Sequence, residues 1–270
     1  IPTELRQLEV ILQLNEEGPL ELIPTFLGAH AIPPEFAGNA EGYADFLCNE
    51  AMPAVQAWWQ EHAPAKPLPF VDVFCEEGVF DLAQTRRILL RAQELGFPLK
   101  LHADEFANLG GASLAAELGA ISVDHLVKTS AEDIQKLAKS ETVAVSLPGT
   151  PFGLAQSAYT PAREIIAAGG LLALATDLNP GTSWNESMQL IQALACRYLK
   201  LTPAEALAAS TINAAAALGL ADRLGSLTPG KQADLIILKV PDYRMLSYRY
   251  GTNLVSTVIK KGVVYRLSDL

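Results

Sequence analysis

One imidazole and two carboxylates follow an apolar run near the middle of the chain. His102, Asp104 and Glu105 stand at or just beyond the end of residues 97–101, which we predict to form a short buried strand. Imidazole nitrogen and carboxylate oxygen are common ligands of zinc and iron, and both groups also transfer protons. This segment is therefore a candidate for metal binding or acid–base catalysis.

Two further strand-like runs end in similar side chains. Residues 121–125 end in His125, and residues 171–177 end in Asp177. Buried strands favour apolar residues throughout, so three runs that each end in a potential ligand or proton carrier are hard to ascribe to packing alone. In a parallel barrel the carboxyl ends of the strands carry the chemistry. The pattern indicates an enzyme.

Strand and helix patterns alternate up to residue 177. Six apolar runs predict strands, and they end near the following residues: His30, Glu76, His102, His125, Leu147 and Asp177. An open doubly wound sheet would gather the functional side chains at one crevice, whereas here they come from at least four strand ends. A barrel is therefore favoured. Beyond residue 185 the pattern is helical, and short strands alternate with turns in the tail.

A closed barrel of this type has eight strands, and the sequence predicts only six. The chain also begins with Ile1 rather than methionine. We therefore expect residues 1–222 to form strands 3–8 of a (β/α)8 TIM barrel, with an amino-terminal portion missing. Residues 223–270 should form the carboxyl-terminal segment of a small β subdomain. Unpaired barrel edges would favour a homodimer.

Composition excludes several classes of protein. The formal net charge of −10 over 270 residues and the lack of a Lys/Arg cluster argue against a nucleic-acid partner. The three cysteines lie far apart without a CxxC pair, which argues against a disulfide framework and suits the cytoplasm. No apolar run reaches the roughly 20 residues of a membrane span, so we expect no membrane partner.

Three motifs together carry a resemblance to a known family. They are Thr-Phe-Leu-Gly-Ala-His-Ala at 25–31, His-Ala-Asp-Glu-Phe at 102–106 and Thr-Asp-Leu-Asn-Pro-Gly-Thr at 176–182. With the tail motif at 227–235, they make the chain resemble the imidazolonepropionase family of the metal-dependent amidohydrolase superfamily over essentially its whole length. The resemblance implies an amidohydrolase TIM barrel with a small β-sandwich subdomain.

The resemblance also implies roles for residues. His102 and Asp177 resemble two ligands of one divalent metal ion, zinc or iron, and Asp177 would also accept the proton of the attacking water. His125 resembles a residue that steadies the oxyanion or shuttles protons. Glu105 resembles an acid that contacts the substrate or moves a proton. The reaction implied is hydrolysis of 4-imidazolone-5-propanoate to N-formimidoyl-L-glutamate, in histidine degradation.

Four residues besides Glu105 resemble the substrate site of that family or its polar loop. They are His30, Asn179, Gly181 and Thr182. We expect residues 181–183 to act as a cap that leads into a helix, whose free N–H groups would favour a carboxylate.

Other interpretations of these side chains stay open. Asp177 could cap a turn, Glu105 could be a solvated loop carboxylate, and His125 could be a second metal ligand or a core hydrogen-bonding group. The family's His-x-His ligand pair is absent, since the four histidines are His30, His62, His102 and His125. Two alternative functions follow: another amidohydrolase, such as a cytosine or guanine deaminase, or an inactive fragment that serves as a binding or structural domain.

Overall fold

The computed structural model describes residues 1–266, which divide into two compact units. Unit 1 comprises Ile1–Asp124 and Lys128–Thr142. Unit 2 comprises His125–Val127 and the chain from Val143 onward. None of the described helices is both long and apolar enough to span a bilayer.

Unit 1 alternates parallel strands with helices. Its strands are β1 Thr25–Ala29, β2 Phe70–Cys75, β3 Leu99–Ala103 and β4 Ser122–His125, the last residue of which belongs to unit 2. Its helices are α1 Pro2–Glu17, α2 Ala40–Phe46, α3 Met52–His62, α4 Leu82–Glu94, α5 Gly111–Leu118 and α6 Ala131–Leu137, with a 3-10 turn at Pro34–Phe36. The four strands are neighbours in chain order, as expected for a sector of a barrel.

Local signals explain where these elements begin. Asp81 caps α4 in a reciprocal capping box with Gln84, and Ser130 caps α6. The sequence of residues 41–62 predicts a single helix. Residues Ala40 to His62 are helical throughout, but a π turn at Leu47–Ala51 joins α2 to α3. Pro53 lacks an N–H and crowds the preceding turn, which explains the wider turn.

Unit 2 contains two parallel strands, several helices and a separate antiparallel sheet. The parallel pair is β5 Val143–Ser146 and β6 Leu172–Leu174, and the antiparallel strands are β7 Leu235–Leu238, β8 Val255–Lys260 and β9 Val263–Arg266. The helices are α7 Gly149–Gly153, α8 Ala162–Ala167, α9 Met188–Tyr198, α10 Pro203–Ala209, α11 Ile212–Ala216 and α12 Met245–Tyr248. An apolar cluster of Val143, Val145, Leu147, Ala173 and Ala217 packs β5 and β6 together with the end of α11.

The predicted strands and most predicted helices are present. The sequence Thr202-Pro203-Ala204-Glu205 predicts a helix start, and a capping box between Thr202 and Glu205 begins α10. The short helices α7 and α12 were not anticipated, because five and four residues are too few to show a helical period. The three short strands of the tail form a small antiparallel sheet, as expected. The domain boundary at residue 222 stays a prediction.

Candidate functional site

Two histidines and an aspartate of unit 1 form a cluster on neighbouring parallel strands. His30 directly follows β1, Asp72 lies in β2, and His102 lies in β3. One ligand atom from each lies within 4.8 Å of the other two. Of the three, sequence reasoning had singled out His30 and His102 but not Asp72.

The pleat of the strands explains why these side chains share a face. Asp72 pairs in register with Lys100, and Phe74 pairs with His102. Side chains alternate between the two faces of a strand, so alternate residues of β2 and β3 point to the same side. Asp72, Lys100 and His102 therefore line one face of the sheet. The alternate residues of β3, such as Leu101, point to the other face.

A hydrogen bond between Asp72 and His102 determines which ring nitrogen of His102 carries the hydrogen. The Nδ1 atom of His102 lies 2.9 Å from Oδ1 of Asp72. An ionised carboxylate only accepts hydrogen bonds, so Nδ1 of His102 is the donor. In the neutral ring the lone pair then resides on Nε2, and a lone pair on nitrogen is what a metal ion binds.

His30 is held as a neutral ring. Burial lowers its pKa to about 4, although Asp72 acts in the opposite direction. Its ring stands edge-on to that of His102, with centroids 4.7 Å apart, and Nε2 lies 3.8 Å from Oδ1 of Asp72. Among the described residues, neither ring nitrogen of His30 has a hydrogen-bond partner. Buried polar atoms normally have one, so this ring fits a ligand or metal ion.

Lys100, Ser122 and Asp124 form a second set of hydrogen-bonded polar side chains, in β3 and β4. The Nζ atom of Lys100 donates to Oγ of Ser122 at 2.6 Å and stands 5.0 Å from the ring centre of Phe70. Oγ of Ser122 donates in turn to Oδ1 of Asp124 at 3.1 Å. Burial raises the pKa of Asp124, against the effect of Lys100. For Asp72 burial also acts upward, but the charge and hydrogen bond of His102 outweigh it and the pKa is lowered.

Glu105 lies in the loop that follows β3. Its side chain is buried, with the residue only 7% exposed, so the structure does not place it as a solvated loop carboxylate. The preceding residue, Asp104, has a left-handed backbone with φ of 57° and is fully buried. Thr129 donates its hydroxyl to the Asp104 carboxylate at 2.7 Å. Non-glycine residues in this conformation concentrate at functional sites.

The other predicted site residues belong to unit 2. His125 ends β4, is 4% exposed and has φ of 76°, and its carbonyl accepts the hydroxyl of Thr160 at 2.7 Å. Asp177 also has a left-handed backbone, with φ of 51°, and its carboxylate accepts a short hydrogen bond from Thr150.

Asn179, Gly181 and Thr182 form one tight loop. Oδ1 of Asn179 accepts the N–H groups of Gly181 and Thr182 at 2.9 and 2.8 Å, and its amide nitrogen donates to the carbonyl of Asp177 at 2.8 Å. The loop is thus closed on itself by one side chain, in the manner of an Asx turn. This arrangement fixes the backbone directly after Asp177.

One expectation about this loop is wrong. Residues 181–183 are expected to lead into a helix as its cap, but α9 begins at Met188 and is capped by Ser187. Ser183 instead forms an isolated bridge with Asn179. The side chain of Asn179 binds the loop's N–H groups locally, so the turn closes before a helix can begin.

Asp72 is the residue that sequence reasoning missed. It interrupts the apolar run Val71-Asp72-Val73 of a strand buried on both faces. A carboxylate at the centre of such a strand is rare unless it is paired, and this was the available signal.

Comparisons with known proteins identify the family of the chain. The family model described as "Amidohydrolase family" matches residues 87–265. The chain is 56% identical to an imidazolonepropionase of Herpetosiphon aurantiacus over 99% of its length, covering 63% of that relative. It is 50% identical to an imidazolonepropionase of Chloroflexus aggregans over 97% of its length, covering 62% of that relative. The chain thus spans less than two thirds of the length of these relatives.

Solved structures share the fold at low identity. A zinc-bound adenosine deaminase from Xanthomonas campestris matches with a TM-score of 0.65 and 22% identity, over 90% of this chain and 60% of that one. An aminofutalosine deaminase from Helicobacter pylori matches with a TM-score of 0.69 and 14% identity, over 94% of this chain and 69% of that one. The fold prediction is confirmed: the strands and helices are those of a partial amidohydrolase (β/α)8 barrel. The chain belongs to the amidohydrolase family.

Proposed function

We propose that the chain supplies part of the active site of a metal-dependent hydrolase that opens the cyclic amide of 4-imidazolone-5-propanoate and releases N-formimidoyl-L-glutamate, a step of histidine degradation. The observation that carries the proposal is the clustering of the partly buried His30 and His102 around the buried Asp72, in a chain that is 56% identical to an imidazolonepropionase.

The donor set suits a divalent metal. Imidazole and carboxylate groups are ligand types that zinc and iron accept, and among the described residues neither ring nitrogen of His30 has a hydrogen-bond partner. When bound, such a metal lowers the pKa of water and polarises the amide carbonyl. We propose His102 as a direct ligand, with Asp72 and His30 beside it, and Asp177 as a further ligand on the basis of its motif.

The chain's own residues would move protons. Asp177, whose carboxylate is oriented by Thr150, would accept the proton of the attacking water. His125 would stabilise the negative charge that develops on the carbonyl oxygen. Glu105 would orient the substrate ring or carry a proton to the leaving nitrogen, and its burial would exclude competing water.

Substrate binding falls to the remaining predicted residues. The neutral ring of His30 can donate or accept a hydrogen bond to the imidazolone. The rigid loop of Asn179, Gly181 and Thr182 would hold the propanoate end, with the Thr182 hydroxyl as a polar contact. The N–H groups at the start of a helix are not part of this contact, because α9 begins only at Met188.

The direct test follows loss of imidazolone absorbance by the purified chain. The assay is run with and without added zinc or iron, alone and together with the segment of the Herpetosiphon relative that the chain does not span. We expect metal-dependent turnover in at least one of these mixtures, with no release of ammonia from cytosine or guanine. Turnover of cytosine or guanine instead would contradict the proposal.

A matched pair of histidine variants makes the test specific. His102→Ala removes the proposed ligand, and turnover should fall by orders of magnitude. His62→Ala removes an exposed histidine at the end of α3 that stacks on Trp58, and it should leave turnover unchanged. Equal activity of both variants would place the chemistry elsewhere.

We further propose a cytoplasmic homodimer. The three cysteines are free thiols, which suits a reducing compartment. A barrel sector with six strands has edges that a second copy would cover. Light scattering of the purified chain would show a mass of two chains if the dimer forms and of one chain if it does not.

A further inference from the structure

Glu76 is a buried acid outside the group of residues discussed so far. It follows β2 directly and is 3% exposed. Its backbone is fixed by a tight turn, because its N–H donates to the carbonyl of Phe80 at 3.1 Å and its own carbonyl accepts the N–H of Val79 at 3.1 Å. The carboxylate therefore projects from a rigid point of unit 1.

Three backbone N–H groups converge on this carboxylate. The N–H of Phe106 donates to Oε2 at 2.9 Å, and the N–H of Ala107 donates to Oε1 at 3.0 Å. The N–H of Glu77 donates to Oε1 at 3.1 Å. Hydrogen bonds to an ionised acceptor are about twice as strong as neutral ones. Two of the three come from the loop after β3, which is distant in sequence.

That loop is fixed on both sides of Glu105. On one side, the carbonyl of Asp104 accepts the N–H of Lys128 at 2.7 Å, and its carboxylate accepts the hydroxyl of Thr129. On the other side, the N–H groups of Phe106 and Ala107 donate to the carboxylate of Glu76. None of these four bonds uses the carboxylate of Glu105. The left-handed backbone at Asp104 carries strain, and such a conformation persists only where surrounding contacts hold it.

We propose that Glu76 is a positioning residue that clamps residues 105–107 and so fixes the Glu105 carboxylate for contact with the substrate ring. The inference rests on the proposed function, because the role of Glu105 does. Glu76 directly follows β2, and none of the predicted site residues holds the loop of Glu105 in this way. Glu76 acts through Glu105 and touches neither substrate nor metal.

Amide hydrogen exchange on the full chain tests the clamp without substrate. The side chain of Phe106 is 47% exposed, so a loop at this place would ordinarily exchange quickly. We expect the amides of Phe106 and Ala107 to be protected in the wild-type chain. In Glu76→Gln, one acceptor oxygen becomes an NH2 group, and exchange at both amides should accelerate about tenfold or more.

Glu77→Gln is the matched control, since it removes the charge of the exposed neighbouring carboxylate and leaves the clamp intact. It should not change exchange at Phe106 or Ala107. Unprotected amides in the wild-type chain, or unchanged exchange in Glu76→Gln, would overturn the clamp. If Glu76→Gln fails to fold, amide protection at Phe106 and Ala107 in the wild-type chain still tests whether the clamp exists.

A double-mutant cycle tests whether the clamp acts through Glu105. The probe is imidazole-4-propanoate, a stable analogue of the proposed substrate, titrated into the wild-type chain, Glu76→Gln, Glu105→Gln and the double variant. We expect Glu76→Gln to weaken binding about tenfold in the wild-type background and less than twofold when Glu105 is already replaced. Equal weakening in both backgrounds would overturn the positioning role. If neither the wild-type chain nor its mixture with the remaining segment of the Herpetosiphon relative binds the probe while the exchange results hold, the proposed function fails and the clamp stands.

Discussion

At the scale of single residues, Asp72 determines which nitrogen of His102 can bind a metal ion. The carboxylate accepts a hydrogen bond from Nδ1, so Nε2 carries the lone pair. Lys100 supports the ionised form of Asp72 from the same face of the next strand. Partners of this kind orient metal-binding histidines and contribute strongly to metal affinity.

Replacing Asp72 by asparagine should therefore weaken metal binding. An asparagine can turn its NH2 group toward Nδ1, which would favour the tautomer with hydrogen on Nε2. We expect zinc affinity to fall about 10- to 100-fold, as measured by competition with a chromophoric chelator. Nitrogen NMR of the metal-free chain should show the changed tautomer of His102.

The exposed Asp45, which pairs with Arg87 on the surface, provides the control. Asp45→Asn should leave both zinc affinity and the tautomer unchanged. An Asp72→Asn chain with wild-type affinity would show that Asp72 does not orient the ligand.

Thiol reactivity is a second residue-scale prediction. Burial raises the pKa of Cys75 to about 11, so at pH 8 it is almost entirely protonated. Cys196 is partly exposed. Under brief treatment with iodoacetamide at pH 8, we expect alkylation of Cys196 and none of Cys75 in the folded chain, as read by mass spectrometry of peptides. Equal labelling of both thiols would contradict the burial of Cys75.

At the scale of elements, helix α5 packs tightly on the strand that carries His102. A Cβ atom added at Gly111, the first residue of α5, would lie 2.5 Å from Cβ of Ala103 at the end of β3. Neither atom belongs to a flexible side chain, so the helix itself would have to move. Only glycine permits this approach, and the loop of Glu105 connects the same two elements.

Gly111→Ala should consequently lower the free energy of unfolding by about 1–3 kcal/mol. Gly251→Ala is the matched control, because its new methyl would meet nothing within 4 Å. Urea denaturation of the two variants checks the prediction. It is refuted if Gly111→Ala is as stable as Gly251→Ala.

The sequence predicts elements better than it predicts the contacts among their side chains. Strand ends are visible because an apolar run stops at a histidine or an acid, as at His102 and His125. Asp72 was missed because it lies inside such a run, and its partner lies on another strand. The cap expected at residues 181–183 is wrong because Asn179 closes a local turn there and Ser187 caps α9, a competition that periodicity does not show.

At the scale of the whole molecule, the described residues divide into two units that each carry part of the predicted site. Unit 1 holds the two histidines, Asp72 and Glu105, whereas unit 2 holds His125, Asp177 and the Asn179 loop. The chain spans 62–63% of the length of the relatives compared. The group of His30, Asp72 and His102 lies wholly within unit 1, so the proposal that it binds a metal ion can be tested on this chain.

The most direct measurement is the zinc content of the purified 270-residue chain after equilibrium dialysis against zinc. The account predicts about one zinc per chain in the wild type and in His62→Ala, and loss of that zinc when His30 and His102 are both replaced by alanine. Zinc at background level in the wild type, or equal zinc in the double variant, would contradict the assignment of this group as the metal centre.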